Sequence, residues 1–429
     1  MKRIILFICS FDGIVTKQSG VGTATFGYFS SINKLKSELF KKGCVLECHA
    51  LTNGYNPDVL GYDKKLLEKV EDICESTGGK VHFCLNNSKG DVHFGGERNW
   101  NCVSASAATI ASKIVEANNF DLAILIGVDT PYAFAPIYFV KQTKTKTKLI
   151  GIFTPHSTSL IHERGVFNLS RLKWEQDCIS EVNRTENLFV SYLNQYMYKH
   201  LNLDYGVAAE SLIPLLNGVN FNEIEIWSQD EIEKELIKWG IPTDKPIVFT
   251  FGRGAWYKGF DLFLEAAKKL DLPAHYVVQV APYSPHERIE EFVGNAAKGL
   301  KDSTLIFQWS FDLPRKIMQW KNTVLTAVLS RYEPGAFIPA EIRVYGNSIC
   351  LISDRDGLPC QVNDGKDGFI CSIDSIQEIV SKIDYIFNLS DKKKNEIRKQ
   401  GKKLIYEKYD ILKNFNSGIK AIISKYIPI

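Results

Sequence analysis

Residues 247–270 read IVFTFGRGAWYKGFDLFLEAAKKL, and the architecture of the chain can be worked out from them. The stretch begins with the apolar run Ile247–Phe251, passes through a glycine-rich turn and ends in residues with helical spacing. A buried strand that leads through such a turn into a helix is the repeating unit of a parallel α/β sheet. Gly252, Gly254 and Gly259 let backbone N–H groups of the turn approach a ligand, and the helix directs its positive end there.

The same alternation of strand and helix continues in both directions from this stretch. We predict strands at Ile4–Cys9, Val45–Ala50, Leu122–Gly127, Leu149–Phe153, Leu188–Val190, His275–Val280, Thr304–Gln308, Val324–Ser330 and Ser348–Ser353, and helices at Phe29–Lys42, Ala105–Ala117, Gln229–Trp239 and Gly259–Leu270. This order predicts an α/β protein built from doubly wound parallel sheets.

The chain of 429 residues is long enough for two domains. The alternation stops at NGVNFNEIEIW (217–227), which is rich in asparagine and acid, and it then restarts. Both halves begin alike, because SGVGTATFG near the amino terminus also carries spaced glycines. We therefore predict two Rossmann-like domains, 1–218 and 219–409, that face a central cleft.

Composition narrows the class of protein. The chain is 45% hydrophobic and 24% charged, as soluble globular proteins are, and a net charge of +3 gives no electrostatic case for nucleic acid or membrane binding. The first residues, MKRIILFICSFDG, have no cleavage site and predict a buried strand, and no run is long enough to cross a membrane.

Ten scattered cysteines without CxxC predict free thiols in the cytoplasm. Cys44, Cys48 and His49 lie close together, but their alternation predicts buried residues of a strand and not metal ligands.

Two cations lie inside the second glycine-rich turn. Arg253 can bridge two phosphate oxygens, and Lys258 acts as a point charge beside the backbone donors. Together they fit a diphosphate. A pair of solvated surface cations is the alternative that the turn alone leaves open.

Two polar residues follow neighbouring predicted strands. His156, in GIFTPHSTS, comes directly after one strand, and Asp129, in ILIGVDTPY, comes after the strand before it. The carboxyl edge of an α/β sheet is where ligands bind. A packed loop histidine and a helix-capping aspartate are the alternatives.

The stretch EPGAFIPAE (333–341) carries an acid at each end. Pro339 suits the first turn of a helix, which places Glu341 in that turn and Glu333 at the end of the preceding strand. The loop between them folds back, so both acids can face one ligand. The alternative is a turn acid and a helix-start acid that share no ligand.

Six motifs, in this order, resemble those of the retaining GT-B glycosyltransferases, especially the group that includes glycogen and starch synthases. They are KQSGVG, LLNGVN, GRGAWYKGFDLFLEAAKKL, SRYEPGA, the Glu-x7-Glu stretch EPGAFIPAE and SDRDGLPCQVNDGKDGFIC. Their order and spacing match over most of the chain. The final helix, from about Asp410 to Tyr426, resembles the segment that packs back on the first domain in this family.

The resemblance implies a role for each matching residue. Arg253 and Lys258 match the cations that hold the donor diphosphate and stabilise it as it leaves. Glu341 matches the acid that binds the nucleotide ribose, and Glu333 matches the acid near the hydroxyls of the donor sugar. His156 matches a histidine that contacts the donor sugar.

Further positions follow from the same resemblance. Gly20 and Gly22 match the loop that approaches the phosphates, and the backbone of Gly335, Ala336 and Phe337 would face the donor. The first domain normally holds the acceptor, for which Asp129 and Arg98 are candidates.

Two stretches supply the acceptor-loop candidates. Arg98 belongs to HFGGERNW (93–100), a polar and aromatic stretch that is either an acceptor loop or an exposed connection, and Asn53-Gly54-Tyr55 is a second candidate.

The implied reaction moves a hexose from a nucleotide-diphosphate sugar, taken here as a UDP-sugar, to the hydroxyl of a glycan or small molecule with retention of configuration. Arginine and lysine neutralise the leaving diphosphate, so we expect neither a metal nor another cofactor. An NAD-linked oxidoreductase is a further alternative, which the sequence disfavours because neither turn reads GxGxxG.

Three departures keep other functions open. Gly335-Ala336 stands where the family has Phe-Gly, Asp356-Gly357 where it has Gly-Gly, and Cys360 where an acid is common. A catalytically silent nucleotide-sugar binding protein is one alternative. An enzyme that couples a nucleotide-linked cyclitol to an acceptor is another.

Overall fold

The structure is a computed structural model that describes residues 1–17, 19–54, 61–86, 95–164, 169–282 and 288–428. The chain forms two compact units, the first made of residues 1–220 with 410–429 and the second of residues 221–409. Each unit contains one sheet in which all paired strands are parallel. The predicted fold class, two Rossmann-like α/β sheets, is confirmed.

The first unit has a seven-stranded sheet. Its strands are β1 (Lys2–Cys9), β2 (Cys44–Asn53), β3 (Val81–Cys84), β4 (Leu122–Val128), β5 (Lys148–Thr154), β6 (Leu188–Tyr192) and β7 (Leu212–Pro214). Its helices are α1 (Gly20–Phe40), α2 (Lys64–Glu75), α3 (Glu97–Glu116), α4 (Ala135–Gln142), α5 (Ser159–His162), α6 (Leu169–Arg184), α7 (Gln195–Leu203) and, from the end of the chain, α15 (Ile411–Tyr426). The strands lie in the order β3-β2-β1-β4-β5-β6-β7.

The second unit has a six-stranded sheet. Its strands are β8 (Ile247–Arg253), β9 (His275–Ala281), β10 (Ser303–Ile306), β11 (Thr323–Val328), β12 (Ile349–Ser353) and β13 (Phe369–Cys371). Its helices are α8 (Gln229–Lys238), α9 (Phe260–Lys269), α10 (Ile289–Ala297), α11 (Asp312–Gln319), α12 (Ile338–Tyr345), α13 (Ile376–Phe387) and α14 (Asp391–Lys408). The strands lie in the order β10-β9-β8-β11-β12-β13.

Helices cover both faces of the second sheet. Side chains of α9, α10 and α13 pack against one face, and side chains of α8, α11 and α12 pack against the other. The central strand therefore has no polar face, and Ile247, Val248 and Phe249 are completely buried. This burial on both faces is why the central strands read as continuous apolar runs.

The strand order reverses at β8. The chain moves outward from β8 to β9 and β10 and then returns to place β11 on the other side of β8. The loops that follow β8 and β11 therefore leave the sheet side by side at its carboxyl edge, which is the ligand-binding position of doubly wound sheets. These two loops contain the glycine-rich turn and the Glu-x7-Glu stretch.

Gly259 makes the close approach of these two loops possible. It has a φ of +72°, and a Cβ added to it would lie 2.1 Å from the carbonyl oxygen of Leu329. Only glycine combines this left-handed conformation with so near a backbone neighbour. Helix α9 begins at the next residue.

Two helices begin earlier than the apolar spacing predicts. Helix α1 begins at Gly20 instead of Phe29, because the Ser19 hydroxyl accepts hydrogen bonds from the N–H groups of Val21 and Gly22 at 3.2 and 3.4 Å. Gly20 and Gly22 thus lie in the first helical turn and not in a loop.

Helix α3 begins at Glu97 instead of Ala105, so 97–100 of the expected acceptor loop are helical. In the two stretches predicted as acceptor loops, 93–100 and 53–55, three residues lie outside the described part of the chain: His93, Phe94 and Tyr55.

The predictions on membrane-spanning segments and on cysteines can be compared with the structure. Within the described ranges, the helices are all too short or too polar to cross a bilayer. The ten cysteines are free thiols, as predicted. Cys44, Cys48 and His49 are buried in β2, which confirms their prediction as strand residues.

The close approach of Gly259 to Leu329 predicts that alanine destabilises the protein more at Gly259 than at another glycine with positive φ. Gly259→Ala should lower the free energy of unfolding by at least about 3 kcal/mol, because it adds a steric clash to the cost of a left-handed alanine. Gly240→Ala is the matched control: Gly240 has a φ of +68° with nothing within 4 Å of an added Cβ. Its cost should be about 1 kcal/mol.

Urea unfolding of both variants, followed by tryptophan fluorescence, measures the difference. Equal unfolding midpoints for the two variants would mean that the contact with Leu329 imposes no constraint.

Candidate functional site

Two cations and a tyrosine occupy the turn after β8. Arg253 is the last residue of that strand, and Lys258 ends the 3-10 turn Trp256–Lys258. Tyr257 lies between them: its hydroxyl accepts a hydrogen bond from Arg253 Nη2, and its ring centre lies 5.8 Å from Arg253 Cζ and 5.1 Å from Lys258 Nζ. One side chain therefore orients both cations.

Lys258 forms an ion pair with Glu333 across the two loops. The distance from Lys258 Nζ to Glu333 Oε2 is 2.5 Å, and the two side chains are only 13% and 9% exposed. Burial lowers the pKa of Lys258, but the attraction of the Glu333 carboxylate outweighs this effect and holds that pKa above the ordinary value of a lysine. The ammonium group is therefore charged at neutral pH.

The backbone of Glu333 is held by the loop after β12. Its N–H donates to Asp356 Oδ2 at 2.9 Å, and its carbonyl oxygen accepts from the N–H of Gly357 at 3.0 Å. Glu333 is thus tied to Lys258 through its side chain and to 356–357 through its backbone.

Further contacts join the loops after β8 and β11. The rings of Tyr257 and Tyr332 stack with centres 4.5 Å apart. Arg331 donates two hydrogen bonds to the Asp261 carboxylate, at 2.9 and 2.6 Å, and its backbone N–H donates to the carbonyl of Tyr257 at 2.7 Å. Bidentate pairing of this kind fixes geometry as well as charge.

The Glu-x7-Glu stretch continues into α12, as its prolines predict. Glu341 lies in the first turn of that helix, and its Oε1 atom is 3.5 Å from Arg315 Nη2 on α11. Among the described residues, no hydrogen-bond acceptor is found for the amides of Gly335, Ala336 and Phe337. A cluster of backbone donors at a helix start favours an anion.

The structure thus gathers the predicted residues of the second unit at one sheet edge. Lys258 contacts Glu333 directly, and Tyr257 contacts both Arg253 and Lys258. Glu341 lies at the other end of the same loop, where it pairs with a different cation. The two glutamates are therefore not a hydrogen-bonded acid pair.

The other predicted residues belong to the first unit. His156 follows β5 and is buried, with Nε2 3.2 Å from the Tyr28 hydroxyl on α1. Burial lowers the pKa of His156 to about 3, so the imidazole is neutral at physiological pH. Tyr28 in turn stacks on Phe415 of α15 with ring centres 4.6 Å apart.

Asp129 follows β4 in a strained conformation. Its φ is +60°, it is buried, and its Oδ1 atom has no hydrogen-bond partner within the described part of the chain. Burial raises its pKa to about 6, although the nearby Arg171 guanidinium opposes this shift. Its side chain does not cap the turn that follows, so capping does not explain it.

The remaining predicted residues differ in their surroundings. A Cβ on Gly22 would lie 2.6 Å from the Asp12 carboxylate, which accepts hydrogen bonds from the Thr16 and Ser19 hydroxyls at 2.8 and 2.7 Å. Gly22 therefore has a packing reason to be glycine. Gly20 begins α1, and Arg98 is exposed in the first turn of α3.

The family comparison addresses the second unit. Residues 231–404 match the sequence model of the glycosyl transferases group 1, and they lie within that unit. No curated protein matches the chain in sequence.

Solved structures resemble the whole chain. Sucrose-phosphate synthase from Thermosynechococcus elongatus has 15% identity and a TM-score of 0.72, with 99% of this chain and 100% of that chain covered. HepE from Anabaena, solved with UDP and glucose, has 15% identity and a TM-score of 0.69, with 98% and 99% covered.

The catalytic domain of starch synthase IV from Arabidopsis thaliana, bound to ADP and acarbose, also has 15% identity and a TM-score of 0.69, with 99% of each chain covered. These likenesses show the GT-B fold. Together with the family match they confirm the resemblance predicted from the motifs and the enzyme class, glycosyltransferase.

Several residues of the candidate site were not predicted. Tyr257 had an available signal, since it separates Arg253 from Lys258 in a turn of six residues. Arg315 had none, because it comes from a helix outside every motif. The contact of Asp356 with Glu333 could not be predicted from the sequence either. The sequence showed only that Asp356 departs from the family pattern.

The buried His156 of this glycosyltransferase should stay neutral far below the ordinary histidine pKa of about 6.5. NMR titration of its imidazole should show no protonation between pH 5 and 8. The unfolded chain binds this proton below pH 6.5 and the folded chain only near pH 3, so the free energy of unfolding should fall as pH drops through that window.

The expected slope from this one residue is about 1.4 kcal/mol per pH unit, and it should be absent in His156→Gln. An imidazole that titrates near pH 6.5 in the folded protein would contradict the buried placement.

Proposed function

We propose that the protein is a retaining transferase that moves a hexose from a nucleotide-diphosphate sugar to the hydroxyl of a glycan or small molecule. The observation that carries this proposal is the cluster of Arg253, Lys258 and Glu333 at the carboxyl edge of the group 1 domain. It offers two oriented positive charges where a doubly wound sheet binds its ligand.

The donor diphosphate is proposed to bind to Arg253 and Lys258. The amides of 335–337 supply further donors at the start of α12, whose dipole favours the same negative charge. Glu341 is proposed to accept hydrogen bonds from the ribose hydroxyls, with its carboxylate oriented by Arg315.

The nucleobase is proposed to stack on Trp309. This ring is 46% exposed and meets Phe311 edge-on at 5.4 Å, while Arg315 Cζ lies 5.5 Å from the Phe311 ring. Arg315 thus connects the aromatic pair to the proposed ribose acid. A flat apolar ring that is this exposed suits a base. We propose a UDP-sugar as donor, since HepE was solved with UDP, although starch synthase IV holds ADP.

The proposed chemistry follows from where charge develops. Cleavage of the sugar–phosphate bond leaves negative charge on the diphosphate and positive charge at the anomeric carbon. Arg253 and Lys258 stabilise the first of these without reorganising, because Tyr257 and Glu333 already orient them. The acceptor hydroxyl attacks from the face that the diphosphate leaves, and its proton passes to a phosphate oxygen.

These two cations can perform the work that a divalent ion does in other transferases, and metal-independent transfer is part of the proposal. Within the described residues, histidine, cysteine and carboxylate side chains form no group of three that could hold a metal.

Acceptor binding is proposed for the first unit. The strained, buried Asp129 has an oxygen available for a hydroxyl group, and the exposed Arg98 is the second candidate. The neutral imidazole of His156 can exchange hydrogen bonds with a sugar hydroxyl but supplies no positive charge.

A catalytically silent nucleotide-sugar binding protein is the second candidate, favoured by the departures at Gly335-Ala336 and Asp356. Slow hydrolysis of the donor without an acceptor distinguishes the two functions, because a silent protein binds the donor but releases no sugar. A thermal-shift screen of nucleotide sugars identifies the donor for this assay.

Loss of a diphosphate cation should abolish most of the transfer. We expect Arg253→Ala and Lys258→Ala each to reduce donor turnover at least ~100-fold, the effect of removing a transition-state charge partner. Arg253→Ala leaves the Lys258–Glu333 pair intact, which separates loss of charge from loss of structure.

Lys268→Ala, at an exposed lysine of α9, is the matched control and should retain full turnover. Near-normal rates in both site variants would refute the diphosphate assignment.

The ribose assignment predicts a selective loss of nucleotide affinity. Glu341→Ala should weaken binding of UDP about 10-fold, because hydrogen bonds to a charged group contribute about 1.5–3 kcal/mol each. Isothermal titration calorimetry of UDP measures this change. Glu265→Ala, at an exposed glutamate of α9, provides the control. Unchanged UDP affinity in Glu341→Ala would exclude the ribose role.

A further inference from the structure

Asp356 has a backbone conformation that its side chain disfavours. It follows β12 and has a φ of +48°, in the left-handed region where residues other than glycine are uncommon. Such a residue persists only when its surroundings hold it there.

The carboxylate of Asp356 uses this conformation to reach one backbone group. Its Oδ2 atom accepts the N–H of Glu333 at 2.9 Å, and the adjacent Gly357 donates its own N–H to the carbonyl oxygen of Glu333 at 3.0 Å. A bond to a charged acceptor is about twice as strong as a neutral one. Both backbone groups of Glu333 are thereby held from one side.

Neighbouring contacts keep the Asp356 loop in place. The N–H of Asp354 donates to the carbonyl of Cys371 at 3.0 Å, and the N–H of Leu358 donates to the carbonyl of Arg355 at 3.1 Å. The guanidinium of Arg355 is paired with Asp354, at 3.3 Å, and with Asp374. This cation is therefore engaged by other carboxylates.

Because the backbone of Glu333 is fixed, the position of its side chain is restricted as well. Its Oε2 atom lies 2.5 Å from Lys258 Nζ, in a site that is almost closed to solvent. A shift of the Glu333 backbone moves that carboxylate relative to the ammonium group. Errors of about 1 Å in such a site can cost ~100-fold in rate.

We propose that Asp356 is a positioning residue, which holds Glu333 so that its carboxylate orients Lys258 for the donor diphosphate. The inference rests on the proposed donor site. Asp356 acts through Glu333 and does not itself touch the donor. A glycine at this position would relieve the strain but provide no acceptor for the Glu333 N–H.

The contact between Asp356 and Glu333 should also affect the pKa of Lys258, which can be measured without enzyme turnover. The charged and titratable groups that face Lys258 are Glu333, Tyr257 and Arg253. Burial and the Arg253 guanidinium lower the pKa of Lys258, and the Glu333 carboxylate raises it. If Glu333 loses its anchor, the lowering effects gain weight and that pKa falls.

Two variants separate anchoring from backbone strain. Asp356→Gly removes both the strain and the acceptor, whereas Asp356→Asn keeps an oxygen acceptor and a residue that tolerates the left-handed region. Both should fold with a melting temperature within a few degrees of the wild type. We expect kcat to fall about 10-fold in Asp356→Gly with less than 3-fold change in donor KM, and to be recovered to within 3-fold in Asp356→Asn.

A purely structural role predicts a different result, namely wild-type kcat in Asp356→Gly, and that result would overturn the proposal. So would an equal loss of kcat in both variants, since the retained acceptor of Asp356→Asn would then have no effect.

The pKa of Lys258, measured by NMR on lysine-labelled protein, tests the inference without any substrate. The wild-type pKa should lie above the ordinary value of a lysine, and the pKa should be lower in Asp356→Gly than in Asp356→Asn. Absence of transfer by the wild type would refute the proposed function alone, because this titration still decides the positioning role. An unchanged Lys258 pKa in Asp356→Gly would refute the positioning role even in an active enzyme.

Discussion

The ion pair between Lys258 and Glu333 is the interaction on which the second unit's site depends. It joins residues 75 positions apart, and its two side chains are almost completely removed from solvent. Desolvation of two charges offsets most of their attraction, so such a pair is weak evidence for stability. Removal of one partner, however, leaves an unpaired buried charge and is costly. A pair of this kind is therefore better understood as a means of holding a lysine charged in a dry site than as a source of folding energy.

The pair can form only because the sheet brings two distant loops together. The strand order reverses at β8, so the loops after β8 and β11 leave the sheet as neighbours. Gly259 then permits a backbone approach that any side chain would block. Stacked tyrosines and the Arg331–Asp261 pair connect the same two loops. Topology thus supplies the proximity, and these contacts determine the orientation of the cations.

This division explains what could be predicted from the sequence. Central strands such as β4 and β8 are buried on both faces and appear as apolar runs, and the prolines of EPGAFIPAE mark where α12 begins. The start of α1 was missed because a Ser19 cap, and not apolar spacing, determines it. The partners of the site residues were unreadable for a different reason. Arg315 meets Glu341, and Asp356 meets Glu333, only after separate elements pack, and no local pattern encodes those contacts.

The same arrangement limits how the proposed nucleotide-sugar donor can bind. Before binding, the Glu333 carboxylate is the nearest counter-charge of the buried Lys258 ammonium group. A diphosphate that approaches Lys258 brings further negative charge into the same dry space, where like charges repel strongly. Glu333 must therefore either turn toward a hydrogen-bond donor on the ligand or be compensated by a second cation. A sugar hydroxyl supplies such a donor, and Arg253, oriented by Tyr257, supplies such a cation. A bare diphosphate meets only the second of these conditions, whereas the proposed nucleotide-diphosphate sugar meets both, so under the proposed donor assignment the carboxylate favours a diphosphate that carries a sugar.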